Sequence, residues 1–99
     1  MLYAIFATDA PGSTALRPDV RPRHLAYLQP LVDEGRVVFA GPHPAIDSPE
    51  PGPAGFTGSL IIAEFASLES AAEWCARDPY KVEGVFSEVL IRPVVQVRP

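Results

Sequence analysis

Ninety-nine residues, 20% of them charged and with a net charge of −4, leave room for one core and argue against a nucleic-acid surface. A chain this short buries only about two-thirds of the surface it exposes when unfolded, and association is a common remedy for that marginal stability. One cysteine, Cys75, excludes an internal disulfide and fits a reducing cytosol, while no apolar run approaches the ~20 residues that span a bilayer.

The opening MLYAIFATDA lacks the basic segment of a secretory leader, so a cytoplasmic location and no membrane contact are expected. Leu2 to Thr8 reads as a strand, apolar nearly throughout and without a turn former. Asp9, Pro11, Gly12 and Ser13 break it into a loop. Helical spacing runs from about Pro22 to Glu34; proline is acceptable near a helix start, and Gly35 suits the left-handed residue beyond its end. His24, Leu28, Leu31 and Val32 share one arc at ~100° per residue, with Leu25 at its edge. Pro30 removes the hydrogen bond back to Ala26 and predicts a kink or an imperfect turn.

Val37 to Ala40 is a short second strand ended by Gly41-Pro42. The stretch that follows holds prolines 42, 44, 49, 51 and 53 and no strand or helix period; loops this long are commonly functional or mobile. Ser59 to Phe65 is the third strand. Ser67 is placed to cap a second helix, with Glu69 at the positive end of its dipole. Leu68, Ala71, Ala72 and Cys75 form the expected buried stripe, and Asp78-Pro79 ends the helix. Pro79 to Gly84 reads as a short irregular turn and Phe86 to Val97 as the last strand, with Pro93 marking an edge or a bulge. The order β-α-β-β-α-β is the α+β, ferredoxin-like arrangement of one antiparallel sheet with two helices on one face.

A sheet covered on one face only should alternate apolar and polar residues. Here LYAIFA, VVFA and LIIA are apolar at successive positions, so both faces call for burial. Two helices cover one face. A second copy of the chain is the economical cover for the other, and the expectation is a homodimer, with a different protein as the alternative.

Among residues able to do chemistry, His24 lies in the middle of an apolar stripe, where a histidine satisfied by a carbonyl is the ordinary case. Asp78 closes the other helix on the same side of the sheet, so the two are placed to approach. A carboxylate against imidazole fixes the tautomer and suits acid–base work. The plain alternative for Asp78 is an Asx turn before Pro79. Gly41-Pro42 and Gly58-Ser59 bracket the long loop; the glycines allow sharp turns, and Ser59 offers a hydroxyl and a backbone N–H to a polar group. Tyr80 is placed to line a pocket beside Asp78. His43 and Asp47 lack ligand spacing and imply no metal. Cys75 reads as a small hydrophobe, and no phosphate loop or nucleotide motif is present.

Several of these pieces together resemble the YciI-like (YCII-related) family of the dimeric α+β barrel superfamily. They are the apolar first strand, R-P-x-H-L at Arg21 to Leu25, D-E-G-R-V at Asp33 to Val37 and A-G-P at Ala40 to Pro42. G-F-T-G-S at Gly55 to Ser59, Glu64, D-P-Y at Asp78 to Tyr80, Gly84-Val85-Phe86 and a terminal I-R-P continue the match over almost the whole chain. The resemblance implies a sheet packed against its twin's and a cleft in which His24 and Asp78 form a catalytic dyad. The superfamily includes small isomerases, lactone-handling enzymes, dehydrohalogenases and monooxygenases, a likeness of fold that names no substrate. Pro30 and the proline-rich loop 42–53 depart from the pattern.

Three functions fit. One is an enzyme without cofactor that isomerises, eliminates from or hydrolyses a small cyclic or aromatic acid, with His24 moving the proton, Asp78 orienting it and Ser59 holding the polar end. A second is a non-catalytic binding or regulatory module for a small molecule. The third is a scaffold in which His24 and Asp78 brace two helices.

Overall fold

The computed structural model describes residues 1–99. The strand-forming runs become β1 (Leu2–Asp9), β2 (Val37–Pro44), β3 (Phe56–Glu64) and β4 (Phe86–Val94). Three α-helices connect them, α1 (Leu16–Asp33), α2 (Leu68–Arg77) and the single turn α3 (Pro79–Val82), with a 3-10 turn at Gly52–Ala54 between β2 and β3. The strands form one sheet in the order β2-β3-β1-β4 with every neighbouring pair antiparallel, which is the expected ferredoxin-like α+β topology. No helix is long and apolar enough to cross a membrane.

Tyr3, Ile5 and Ala7 of β1 and Ser59, Ile61 and Ala63 of β3 alternate onto the helical side of the sheet and are all buried. Against them α1 lays Arg17, Val20, His24, Leu28 and Leu31, and α2 lays Ala71 and Cys75. Tyr27 Oη donates to the Trp74 carbonyl at 2.8 Å while their rings stack at 4.9 Å, fastening the two helices to each other. Ser67 caps α2 reciprocally: its hydroxyl accepts from Ser70 N, and Ser70 Oγ accepts from Ser67 N, both at 3.0 Å.

Several expected boundaries shift. Helix α1 begins at Leu16 rather than near Pro22, because Pro18 falls in the first turn, where an N–H has no partner to lose. It also runs on through Pro22 and Pro30 to Asp33. Pro18, Pro22, Ala26 and Pro30 lie four residues apart and are all exposed, so the carbonyls deprived of an N–H partner face water. Moving the helix start recentres its buried stripe on Arg17, Val20, His24, Leu28 and Leu31, which leaves Leu25 and Val32 on the flank at 41% and 45% exposure. In α2, Leu68 and Ala72 are exposed and only Ala71 and Cys75 of the expected four are buried. Pro79 to Gly84 carries a helical turn rather than an irregular one, since Asp78 caps it.

Strand β2 does not stop at Ala40 but continues through Pro44, an extension that proline allows because β2 is an edge strand. Strand β4, at the other edge, accommodates Pro93 as expected and ends at Val94 rather than Val97. Strand β3 starts at Phe56, ahead of Ser59, so Gly41 and Gly58 lie inside strands and form no turns. Gly58 is demanded by a close approach: a Cβ there would fall inside contact distance of the Ala7 carbonyl on β1.

The face away from the helices is apolar and bare. Phe6, Phe39 and Leu90 are about half exposed there, at 49%, 51% and 50%, around the partly covered Ala4, Leu60 and Ile62.

Candidate functional site

Between α1 and the β2–β3 side of the sheet lies a cleft of about 410 Å³. Its polar lining consists of Arg17, Arg21, His24, Ser59 and Tyr80, with Leu25, Leu28 and Phe56 among the apolar walls. No carboxylate lines it, so the cleft is electropositive in a chain of net charge −4.

Asp78 and His24 come together behind this cleft. Asp78, 2% exposed, ends α2 and caps α3, accepting from Tyr80 N at 2.9 Å through Oδ1. The same Oδ1 lies 2.7 Å from His24 Nδ1. A carboxylate only accepts, so Nδ1 carries the proton and donates it, which leaves Nε2 with a lone pair. Nε2 has no protein partner, and no buried side-chain nitrogen or oxygen in the molecule is unpartnered, so Nε2 keeps contact with solvent on the cleft side. The turn reading and the pairing reading of Asp78 therefore both hold. The imidazole stacks on the Tyr80 ring at 4.0 Å and 14°, with Phe86 edge-on at 6.3 Å. Its plane is fixed on one face and its tautomer by the carboxylate.

Arg17 organises the floor. Its Nη1 donates to both Asp9 oxygens at 2.7 and 2.8 Å, and its Nη2 donates to Gly58 O at 3.2 Å and to Ser59 Oγ. The guanidinium also lies over the Tyr80 ring, 4.8 Å from its centroid. One side chain thus ties β1, β3 and α3 together. Burial pushes the Asp9 carboxyl above its ordinary range, with Arg17 and then His43 pulling the other way. Burial likewise raises the Tyr80 phenol, against the pull of Arg17 and Arg21, and keeps it protonated at neutral pH. Cys75, under α2, is pushed up to about 12 by burial and by the Asp78 charge, and is not a nucleophile at neutral pH.

Of the residues selected from the sequence, His24, Ser59, Tyr80, Gly41 and Pro42 line the cleft. Asp78 stands behind His24, and Gly58 contributes its carbonyl to Arg17 rather than a lining surface. His43 turns to the bare sheet face, 4.7 Å from the Phe6 ring. Arg17 and Arg21 were not singled out as site residues. The signal was their helical spacing with His24, at i, i+4 and i+7, which becomes visible once Pro18 is accepted in a first turn.

The YCII-related domain family matches residues 1–95. The chain belongs to that family. A protein from Escherichia coli called Protein YciI is 55% identical over 97 residues, covering 98% of this chain and 99% of its own. An uncharacterised protein of Haemophilus influenzae is 47% identical over the same span. Among solved structures, this YCII-related chain superposes with a TM-score of 0.84 on a dehydrochlorinase of Burkholderia phenoliruptrix, TftG, at 29% identity, covering 96% of this chain and 94% of that one. That enzyme acts on 5-chloro-2-hydroxyhydroquinone and was solved in complex with 2,5-dihydroxybenzoquinone.

Proposed function

We propose that this YCII-related protein is an enzyme that moves a proton on a small cyclic or aromatic acid without a cofactor, His24 serving as the acid–base group and Asp78 as its positioning partner. The observation that carries the reading is the His24 Nδ1 bond to buried Asp78 at 2.7 Å, with Nε2 left free toward a cleft of about 410 Å³. Nε2 takes a proton from a ring C–H or O–H. The electron pair released then expels a leaving group in an elimination, or the proton returns at a neighbouring atom in an isomerisation. Asp78 balances the imidazolium that forms in between. A structural relative that removes chloride from a hydroxylated ring supports this class of chemistry.

The functional unit in this proposal is a cytosolic homodimer. The bare apolar face around Phe6, Phe39 and Leu90 supports it, since that area is left in water by the single chain.

The test is to incubate small cyclic acids and hydroxylated ring compounds with the protein in heavy water and follow them by NMR. Wild type is expected to exchange ring protons or to release the leaving group, and His24→Gln to lose that rate by roughly 10²–10⁴-fold. Equal rates for the two proteins on every turned-over compound would remove His24 as the acid–base group, and no exchange or release above the protein-free control would end the enzyme reading. Binding without exchange or elimination would replace it with a small-molecule-binding module.

A further inference from the structure

The cleft holds two guanidinium groups in very different states. Arg17 is spent: the N–H groups of Nη1 and Nη2 go to Asp9, Gly58 O and Ser59 Oγ, and the Asp9 carboxylate neutralises its charge. Arg21, one helical turn further along the same side of α1, lines the cleft yet makes no hydrogen bond or ion pair with the protein. It is exposed at the mouth, on the flank that also carries Leu25. Ser59 adds a donor. Its Oγ already accepts from Arg17, so its own hydrogen is free to be given, and a hydroxyl polarised by a cation is the stronger donor.

We infer that Arg21 is the specificity-determining residue of this cleft, its guanidinium receiving a planar oxyanion group on the substrate ring while Ser59 Oγ–H donates to a second oxygen. The proposal rests on the cleft being the substrate site described above and names the substrate class: a ring bearing a carboxylate or an ionised ring hydroxyl. A guanidinium fork matches the two oxygens of a carboxylate, or an ionised ring hydroxyl together with the carbonyl oxygen beside it, and a cleft without carboxylates in its lining offers an anion no competing acceptor. The same charge draws the anion towards a chain whose overall charge would repel it. With the anionic end held at the mouth, the ring lies inward against Leu28 and Phe56, within reach of His24 Nε2.

Binding, not turnover, tests this. Benzoate is compared with benzamide, and an ionised hydroxybenzoquinone with its methyl ether, by calorimetry or NMR titration on wild type, Arg21→Gln and Arg21→Lys. Wild type is expected to prefer the anion of at least one pair. Arg21→Gln should weaken that anion roughly tenfold and leave the neutral probe unchanged, and Arg21→Lys should recover part of the loss. Added salt should weaken the anion on wild type more than on Arg21→Gln. Discrimination in the benzoate pair alone assigns the group as a carboxylate; discrimination in the quinone pair alone assigns a ring oxygen. Equal affinity within both pairs, or an Arg21→Gln protein that binds the anion as wild type does, overturns the inference. Two variants separate the readings: proton exchange kept in His24→Gln with anion preference lost in Arg21→Gln leaves Arg21 standing alone, and exchange lost in His24→Gln with anion binding unchanged in Arg21→Gln leaves only the proton chemistry.

Discussion

Replacing Asp78 by alanine removes one oxygen that serves two donors. Oδ1 accepts from His24 Nδ1 at 2.7 Å and from Tyr80 N at 2.9 Å, and the residue is 2% exposed, so water does not readily substitute. Losing the cap of α3 costs about 1 kcal/mol. Leaving the His24 N–H buried without an acceptor costs about 1–3 kcal/mol more. Because both bonds end on the same atom, their costs need not add in full, and the expected total is about 2–3 kcal/mol. For a chain of this length each kcal/mol moves the melting temperature by roughly 4–8 °C, so a fall of at least ~8 °C follows. Asp78→Asn keeps an oxygen in the same place for both donors and should lie within about 1 kcal/mol of wild type. Urea and thermal unfolding at pH 7 measure this, at one protein concentration, since association would itself add stability. An alanine variant as stable as wild type, or an asparagine variant as damaged as alanine, would refute the shared-acceptor account.

Cys75, pushed from its ordinary 9.0 to about 12, should carry ~10³-fold less thiolate at pH 8 than the unfolded chain, so iodoacetamide should label it slowly until urea is added. Here the folded state keeps a proton that the unfolded chain releases. Its contribution to stability is intact below pH 9 and declines by about 1.4 kcal/mol per unit from there towards 12, which urea melts at pH 8 and pH 10 would show. On the bare sheet face, Phe6→Glu should convert a species of twice the 10.7 kDa chain mass into one of chain mass by sedimentation; a wild type already at chain mass would remove the dimer.

Much of the fold was legible because its strands are written in apolar β-formers and its second helix in an amphipathic run with a serine cap. What escaped was written in residues that serve against their reputation. Pro18 costs no hydrogen bond in a first turn, so α1 starts at Leu16, and a start placed near Pro22 hid the whole N-terminal third of the helix. Pro42 and Pro44 read as loop, yet an edge strand tolerates them. Gly58 suggested a turn, whereas its backbone meets Ala7 across the sheet. Arginine is ordinarily a surface residue, and nothing local marks Arg17 as 7% exposed; only the tertiary convergence of Asp9, Gly58 and Ser59 makes burial of its charge tolerable. The proximity of His24 and Asp78 was open to a topological argument, since both helices lie on one side of the sheet. The cleft between them and the two arginines was not, because its depth depends on where α1 begins.

The arrangement of Arg17 and Asp78 also bears on how this protein can change over generations. Each is a structural rivet as well as a neighbour of the cleft: one clamps two strands and a helical turn, the other joins two helices and a histidine. A substitution at either is therefore felt as misfolding before it is felt as altered chemistry. Arg21 and Leu25, exposed on the rim and free of polar bonds to the rest of the chain, carry no such burden. A substitution at that rim can therefore change what the cleft receives without endangering the fold.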